Sequence, residues 1–146
     1  TSAEANAEAR GVADWINACI SDGIEPAAIG VFVRTNDQLA RARDAVRLAN
    51  QTTMELSERS EEPAGRVSVG TMHLAKGLEF KAVIVMACDD EILPLQERIE
   101  TVADEGELDE VYETERHLFY VACTRARDRL MVSGIKPESE FFADLT

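Results

Sequence analysis

Two short stretches of this 146-residue chain are apolar almost throughout: "AIGVFV" over residues 28–33 and "KAVIVMAC" over 81–88. A strand with one wet face alternates apolar and polar residues. A strand without alternation must be covered on both faces, as in a parallel sheet with helices on either side. The patterns between these runs supply the helices. Val12, Trp15, Ile16, Cys19 and Ile20 fall at helical spacing within residues 3–20, and "SDGIEP" stops that helix with Gly and Pro. Leu39, Ala42, Val46 and Ala49 mark a second helix, with Asp37 placed to cap its start. Leu108, Val111, Tyr112, Leu118, Phe119 and Ala122 trace a long third one. "TTMEL" reads as a weak strand, "RVSVGTM" as an alternating one and "DRLMVSG" as the last, followed by "ESEFFADL" as a short closing helix. "SERSEEPAG" and "DDEILPLQERIE" read as loops. The expected fold is a three-layer α/β domain over residues 1–146, with a mainly parallel sheet flanked by helices.

Charge narrows the function. The formal net charge is −13, which argues against a generic nucleic-acid coat. Any nucleic-acid contact must be local, or must draw positive charge from a partner domain. Seven acids crowd "DEGELDEVYETE", a pattern expected of a solvated helix face. At 45% hydrophobic and 29% charged, the composition is that of a globular chain. No apolar run approaches the roughly 18 residues that cross a bilayer, so no membrane partner is expected. Cys19, Cys88 and Cys123 are odd in number and lie in apolar stretches, which suits buried free thiols in a reducing cytoplasm. The opening "TSAEANAEAR" has no Met, as expected for a piece of a longer chain.

In parallel sheets ligands sit at the carboxyl ends of the strands. Arg34 directly follows one strand, and Thr71 and His73 end another. "TMHLAKGLEF", residues 71–80, carries His, Lys and Glu around one Gly. It is not a Walker A loop, which needs G-x-x-x-x-G-K-[ST]. Asp89 and Asp90 follow a strand without making a convincing Walker B site. His73 and His117 are the only histidines and lack ligand partners in sequence, so no metal site is expected. A hydrogen-bonded structural His73 is the plainer reading. No G-x-S-x-G elbow offers a nucleophile. In "ERHLFYVACTRARDRL", residues 115–130, helical spacing puts Arg125 and Arg129 on one face and Phe119, Ala122 and Ala126 on another. Arg125 is either an ordinary ion-paired arginine or a guanidinium aimed at an anion bound outside the domain.

Taken in order, "IGVFVRTNDQ", "VGTMHLAKGLEF" and "ERHLFYVACTRARDRL" resemble motifs IV, V and VI of the UvrD/Rep-type superfamily 1 DNA helicases. "SEFFADL" is similar to the closing helix of that family. The resemblance implies a RecA-like fold and the second of two motor domains, with ATP held between them. Walker A and Walker B, with Mg²⁺, would belong to the missing N-terminal RecA-like domain. By position, Arg34 and Arg125 match the arginines that reach the γ-phosphate, and both are expected on one exposed rim. Glu79 matches the glutamate at the nucleotide ribose, and Gly77 would permit the tight backbone beside it. Thr71 and His73 match residues that touch single-stranded DNA. Only 36 residues separate Arg34 from Thr71, so the accessory domain that many members insert there is absent. The implied function is the C-terminal motor domain of a cytoplasmic ATP-dependent DNA helicase or translocase, a class that serves DNA repair among other processes. The isolated chain is expected to be inactive.

Two other readings stand beside this one. A RecA-like binding module that has lost motor activity fits the charge and the missing Walker A, but has no need of Arg34, Glu79 and Arg125 together. A small self-sufficient α/β enzyme lacks any acid/base pair or nucleophile.

Overall fold

The computed structural model describes residues 2–56, 65–76, 78–86 and 105–133. Helix α1 (Ser2–Ser21) leads to β1 (Ile29–Val33), α2 (Leu39–Leu48), β2 (Thr53–Glu55), β3 (Val67–Thr71), β4 (Phe80–Val85), α3 (Glu105–Cys123) and β5 (Ala126–Val132). The five strands form one sheet in the order β2-β3-β1-β4-β5. Every pairing is parallel. This is the parallel α/β arrangement expected from the two unalternating runs, and it matches the RecA-like fold that the resemblance implies.

Both faces of the central strands β1 and β3 are dry, as is β4 apart from Lys81, and strand parity sorts the residues between the faces. Ile29, Val31 and Val33 of β1, with Ala82 and Ile84 of β4, pack beneath α1 and α2 against Val12, Ile16, Ala42 and Val46. Phe32, Val83 and Val85 face the other way, against Phe119, Ala122 and Cys123 of α3. Met72, Ala75 and Phe80, from the stretch between β3 and β4, join this second cluster. That stretch therefore crosses the α3 side of the sheet instead of looping into solvent.

Local chemistry sets the element ends. Gly23 takes a left-handed φ of 99°, and the Ile24 N–H reaches back to the Cys19 carbonyl at 3.0 Å, which closes α1. Asp37 does not cap α2. Residues Asn36–Gln38 form a 3₁₀ turn that runs directly into the helix, and the cap position falls to Gln38 without a side-chain cap bond. Backbone bonding of Gln38 N–H to the Thr35 carbonyl opens the turn instead.

The helical reading of Arg125 and Arg129 is also corrected. α3 ends at Cys123, and Arg129 lies in β5. The Phe80 N–H bonds the Arg125 carbonyl at 3.0 Å, so pairing with β4 takes over the chain and overrides the helical spacing. Arg129 then pairs with Asp22 at 2.7 Å, beyond the end of α1. β4 begins at Phe80, one residue earlier than expected. Most of "SERSEEPAG", the "DDEILPLQERIE" loop, Cys88, Asp89, Asp90 and the closing helix lie outside the described residues.

Phe80 pins the crossing stretch to the sheet. Its ring meets Phe32 edge-on with centroids 5.9 Å apart. A Cβ placed on Gly30 would come within 2.8 Å of that ring. Gly30→Ala is therefore expected to destabilise the domain by about 1–3 kcal/mol through overpacking, measured by urea unfolding. Burial pushes the Cys123 thiol up to about 12 from 9.0. Below pH 9 this shift leaves stability unchanged. As pH rises from 9 towards 12, the unfolded chain ionises first and stability falls. The matching expectation is that Cys123 resists thiol reagents at pH 8 until denaturant is added.

Candidate nucleotide and nucleic-acid site

The parity of β1 dictates where Arg34 points. Gly30 and Phe32 face α3, and Arg34 is the next residue of that set. It is 4% exposed and meets Glu115 of α3, which is fully buried. Arg34 Nε donates to Glu115 Oε1 at 2.8 Å and Nη2 donates to Oε2 at 2.6 Å. This is a two-pronged pair, the geometry a guanidinium and a carboxylate share best. The third nitrogen, Nη1, lies 3.1 Å from His73 Nε2.

His73 is exposed and sits in the 3₁₀ turn Met72–Leu74, which directly follows β3. Buried Met72 and Ala75 anchor that turn. Thr71 closes β3, largely buried, in register with Val33. Arg34, Thr71 and His73 thus gather at the carboxyl edge of the sheet.

Arg125 occupies the opposite edge. It lies in the turn between α3 and β5, where its Nε donates to the Val121 carbonyl at 3.0 Å. Its Nη1 reaches the Leu78 carbonyl at 3.4 Å and its Nη2 the Thr124 hydroxyl at 3.3 Å. Glu79 is exposed beside it, between Leu78 and the first residue of β4. The structure therefore brings Arg125 and Glu79 together, while Gly77 lies outside the described residues.

It does not bring Arg34 and Arg125 to one exposed rim. The six residue steps from Phe80 to Met86 separate their levels on the sheet, about 20 Å at strand rise. Arg34 is also enclosed, because strand parity turns it inward against α3. The sequence reading placed Arg34 after a strand without asking which face it served.

The arginines differ in their neighbours. Arg41 pairs with Glu8, Arg43 with Glu55, Arg47 with Asp44, Arg116 with Glu113 and Arg129 with Asp22. Arg125 is half-buried and held by neutral oxygens alone, with no carboxylate among the described residues. In a chain of net charge −13, Arg125 is thus a positioned guanidinium that meets no carboxylate among the described residues.

Glu115 was missed by sequence reasoning, although a signal existed. It falls on the stripe Val111, Tyr112, Leu118, Phe119, Ala122 at helical spacing, and a charge inside an apolar stripe demands a buried partner. The outer face of α3 is acidic as expected, with Glu107, Asp109, Glu110 and Glu113 exposed.

Comparison with known proteins identifies the family of this all-parallel α/β domain. The UvrD-like helicase C-terminal domain profile matches residues 41–137, well over half of the chain, and the chain belongs to that family. β1 and Arg34 lie before the matched span.

Among relatives, ATP-dependent DNA helicase UvrD1 of Mycobacterium leprae is 38% identical over 96 residues, covering 58% of this chain and 11% of its own length. ATP-dependent DNA helicase PcrA of Bacillus subtilis is 32% identical over 104 residues, covering 62% of this chain and 13% of its own. The chain thus spans about a tenth of the length of these curated relatives. The C-terminal domain of a possible DNA helicase from Lactobacillus plantarum WCFS1 shares the fold, with a TM-score of 0.66 at 22% identity over 97% of this chain and 74% of that one.

A fully buried carboxylate is tolerable only while its counter-charge is present. Glu115→Ala should cost about 3–5 kcal/mol because Arg34 is left buried and uncompensated. Replacing both partners by Met and Leu should recover most of that loss in the same urea titration.

Proposed function

We propose that this domain is the second motor unit of an ATP-dependent DNA helicase or translocase. Its amino edge, with Arg125 and Glu79, faces ATP held by an N-terminal RecA-like domain. Its carboxyl edge, with Thr71 and His73, faces single-stranded DNA. Gly77 would let the backbone pass close to the nucleotide. One observation carries the nucleotide half of this reading: among the described residues Arg125 is positioned by neutral oxygens and meets no carboxylate. Phosphoryl transfer is helped chiefly by placing positive charge on the transferring group. An arginine suits that task because it stays charged and binds two oxygens at once.

In this conformation Arg34 has its fork filled by Glu115. It also lies at the carboxyl edge, away from the edge that faces ATP in this reading, so the γ-phosphate role falls to Arg125. Magnesium would enter with the nucleotide. Its ligands would come from the first domain and the phosphates. No described helix is long and apolar enough to cross a membrane.

Coupling between the two edges follows from chain connectivity. The ten residues from Thr71 to Phe80 run from one edge to the other. Closure of the cleft on ATP would be felt at His73, and alternating closure and opening would step the domain along a strand.

Joined to its Walker-A-bearing domain, the wild-type protein is expected to hydrolyse ATP in the presence of oligothymidylate. Arg125→Ala should lower kcat on the order of 10³-fold with an unchanged circular-dichroism spectrum, and Arg125→Lys should restore little of it. Normal turnover in Arg125→Ala would overturn the assignment. The 146-residue chain alone should show negligible ATPase, and robust turnover by it would defeat the division of labour.

A further inference from the structure

Arg125 is seated on the carbonyl end of α3. The last four carbonyls of a helix lack intrahelical partners and carry the negative end of its dipole. Backbone bonding takes up two of them here. The Thr124 N–H bonds the Tyr120 carbonyl at 2.9 Å, and the Arg125 N–H bonds the Ala122 carbonyl at 3.2 Å. The Val121 carbonyl between them takes side chains instead. Arg125 Nε donates to it at 3.0 Å and the Thr124 hydroxyl at 3.1 Å.

Arginine has donors and no acceptor. In its 3.3 Å contact with Arg125 Nη2, the Thr124 hydroxyl is therefore the acceptor. Its own proton is committed to Val121, which fixes the rotation of the hydroxyl and leaves a lone pair for Nη2. Each of the three guanidinium nitrogens thus meets a neutral oxygen: Val121 at Nε, Leu78 at Nη1 and Thr124 at Nη2. Two of these oxygens are main-chain carbonyls placed by the fold. Thr124 supplies the third from a side chain, so it is the contact that a change of sequence can remove.

We propose that Thr124 is a positioning residue for Arg125: its hydroxyl, locked on the Val121 carbonyl, orients Nη2 so that the guanidinium meets an anionic oxygen in one direction with its charge undiminished. That the anion is the transferring phosphoryl group of ATP rests on the function proposed above. A carboxylate would grip the fork more tightly but would neutralise it, as happens at Arg41, Arg116 and Arg129. A hydroxyl orients without neutralising. Back-bonding of a threonine to the carbonyl three residues earlier is common near helix ends, and it accounts for the bond to Val121. It does not account for the second bond. Thr124 is exposed, where water would satisfy its hydroxyl equally well, so stability alone does not call for the contact with Nη2.

The first test is guanidinium NMR of the 146-residue chain, with the exposed Arg127 as internal reference. In the wild type, Arg125 is expected to show separate Nη1 and Nη2 signals from slowed rotation about Cζ–Nε, while Arg127 shows one averaged signal. Thr124→Val keeps the shape and removes the hydroxyl, and it should speed that rotation on the order of tenfold. Thr124→Ser should keep the wild-type pattern. Averaged Arg125 signals in the wild type would overturn the proposal without any variant. So would a folded Thr124→Val protein that rotates as slowly as wild type.

The second test measures ATP turnover in the domain joined to its Walker-A-bearing partner. Thr124→Val should lower kcat on the order of tenfold, the worth of one hydrogen bond to a charged group, with KM for ATP little changed. Thr124→Ser should restore it. In an Arg125→Ala background, Thr124→Val should cost nothing further, because the group it positions is gone. An equal loss in both backgrounds would show that Thr124 does not act through Arg125, and the proposal falls. If Arg125→Ala and Thr124→Val both turn over normally while the guanidinium signals respond, the nucleotide reading of Arg125 falls and the positioning role of Thr124 stands.

Discussion

The domain is organised around a carboxylate that has no water near it. Glu115 is fully enclosed on α3, and the cost of removing such a charge from solvent is several kcal/mol. The Arg34 guanidinium, itself almost wholly enclosed, offsets that cost. The pair therefore fixes how α3 lies on the sheet. Apolar contacts alone permit small slides, because oil-like surfaces have no direction. Two short charge-assisted bonds to a residue at the end of the central strand do not. With α3 held at Glu115, the turn at its far end, and hence Arg125, is set relative to β4 and β5.

The residues between β3 and β4 lie beneath that helix. Met72, Ala75 and Phe80 point into the layer, and His73, Lys76 and Glu79 point out. Each exposed polar group is thus flanked by a buried anchor within one or two positions. The same stretch touches the α3 assembly twice, at His73 through Arg34 and at Leu78 through Arg125. A displacement at either edge has a physical route to the other, through packed side chains and not through a flexible loop. This is the material basis for the coupling proposed above.

Much of the fold was legible because two-sided burial leaves an unambiguous mark. "IGVFV" and "AVIVM" could only be central parallel strands, and the helical stripes of α1, α2 and α3 predicted their inward faces. The misreadings came where tertiary pairing beat local pattern. Ala126 and Arg129 continue the helical spacing of α3, yet β4 captures them into β5. Asp37 has the chemistry of a cap, but a 3₁₀ turn is already bonded through its own backbone. At the site, the sequence placed Arg34, Thr71 and His73 at the carboxyl ends of strands, and the resemblance added Glu79 and Arg125. Which edge those two serve was not legible, because it depends on the direction of the crossing stretch. Nor did it show that Arg34 faces inward, although counting by twos from Phe32 would have. Glu115 was visible as a break in an apolar stripe, and it becomes meaningful only once its partner is known to lie 81 residues away.

The strand order has a consequence for how the chain acquires its shape during synthesis. β1 sits at the middle of the sheet, and both of its neighbours, β3 and β4, come later in the sequence. When residue 50 has been made, β1 and the two helices that cover one of its faces are present, but neither neighbouring strand is. Its edges stay unpaired until β3 and β4 have emerged, and its other face stays open until α3 follows. Such distant pairings are slow to form, and an unpaired apolar edge invites association with other chains. The nascent polypeptide passes through an interval in which a holdase, or rapid translation of the following segment, determines whether β1 meets its own partners or those of another molecule.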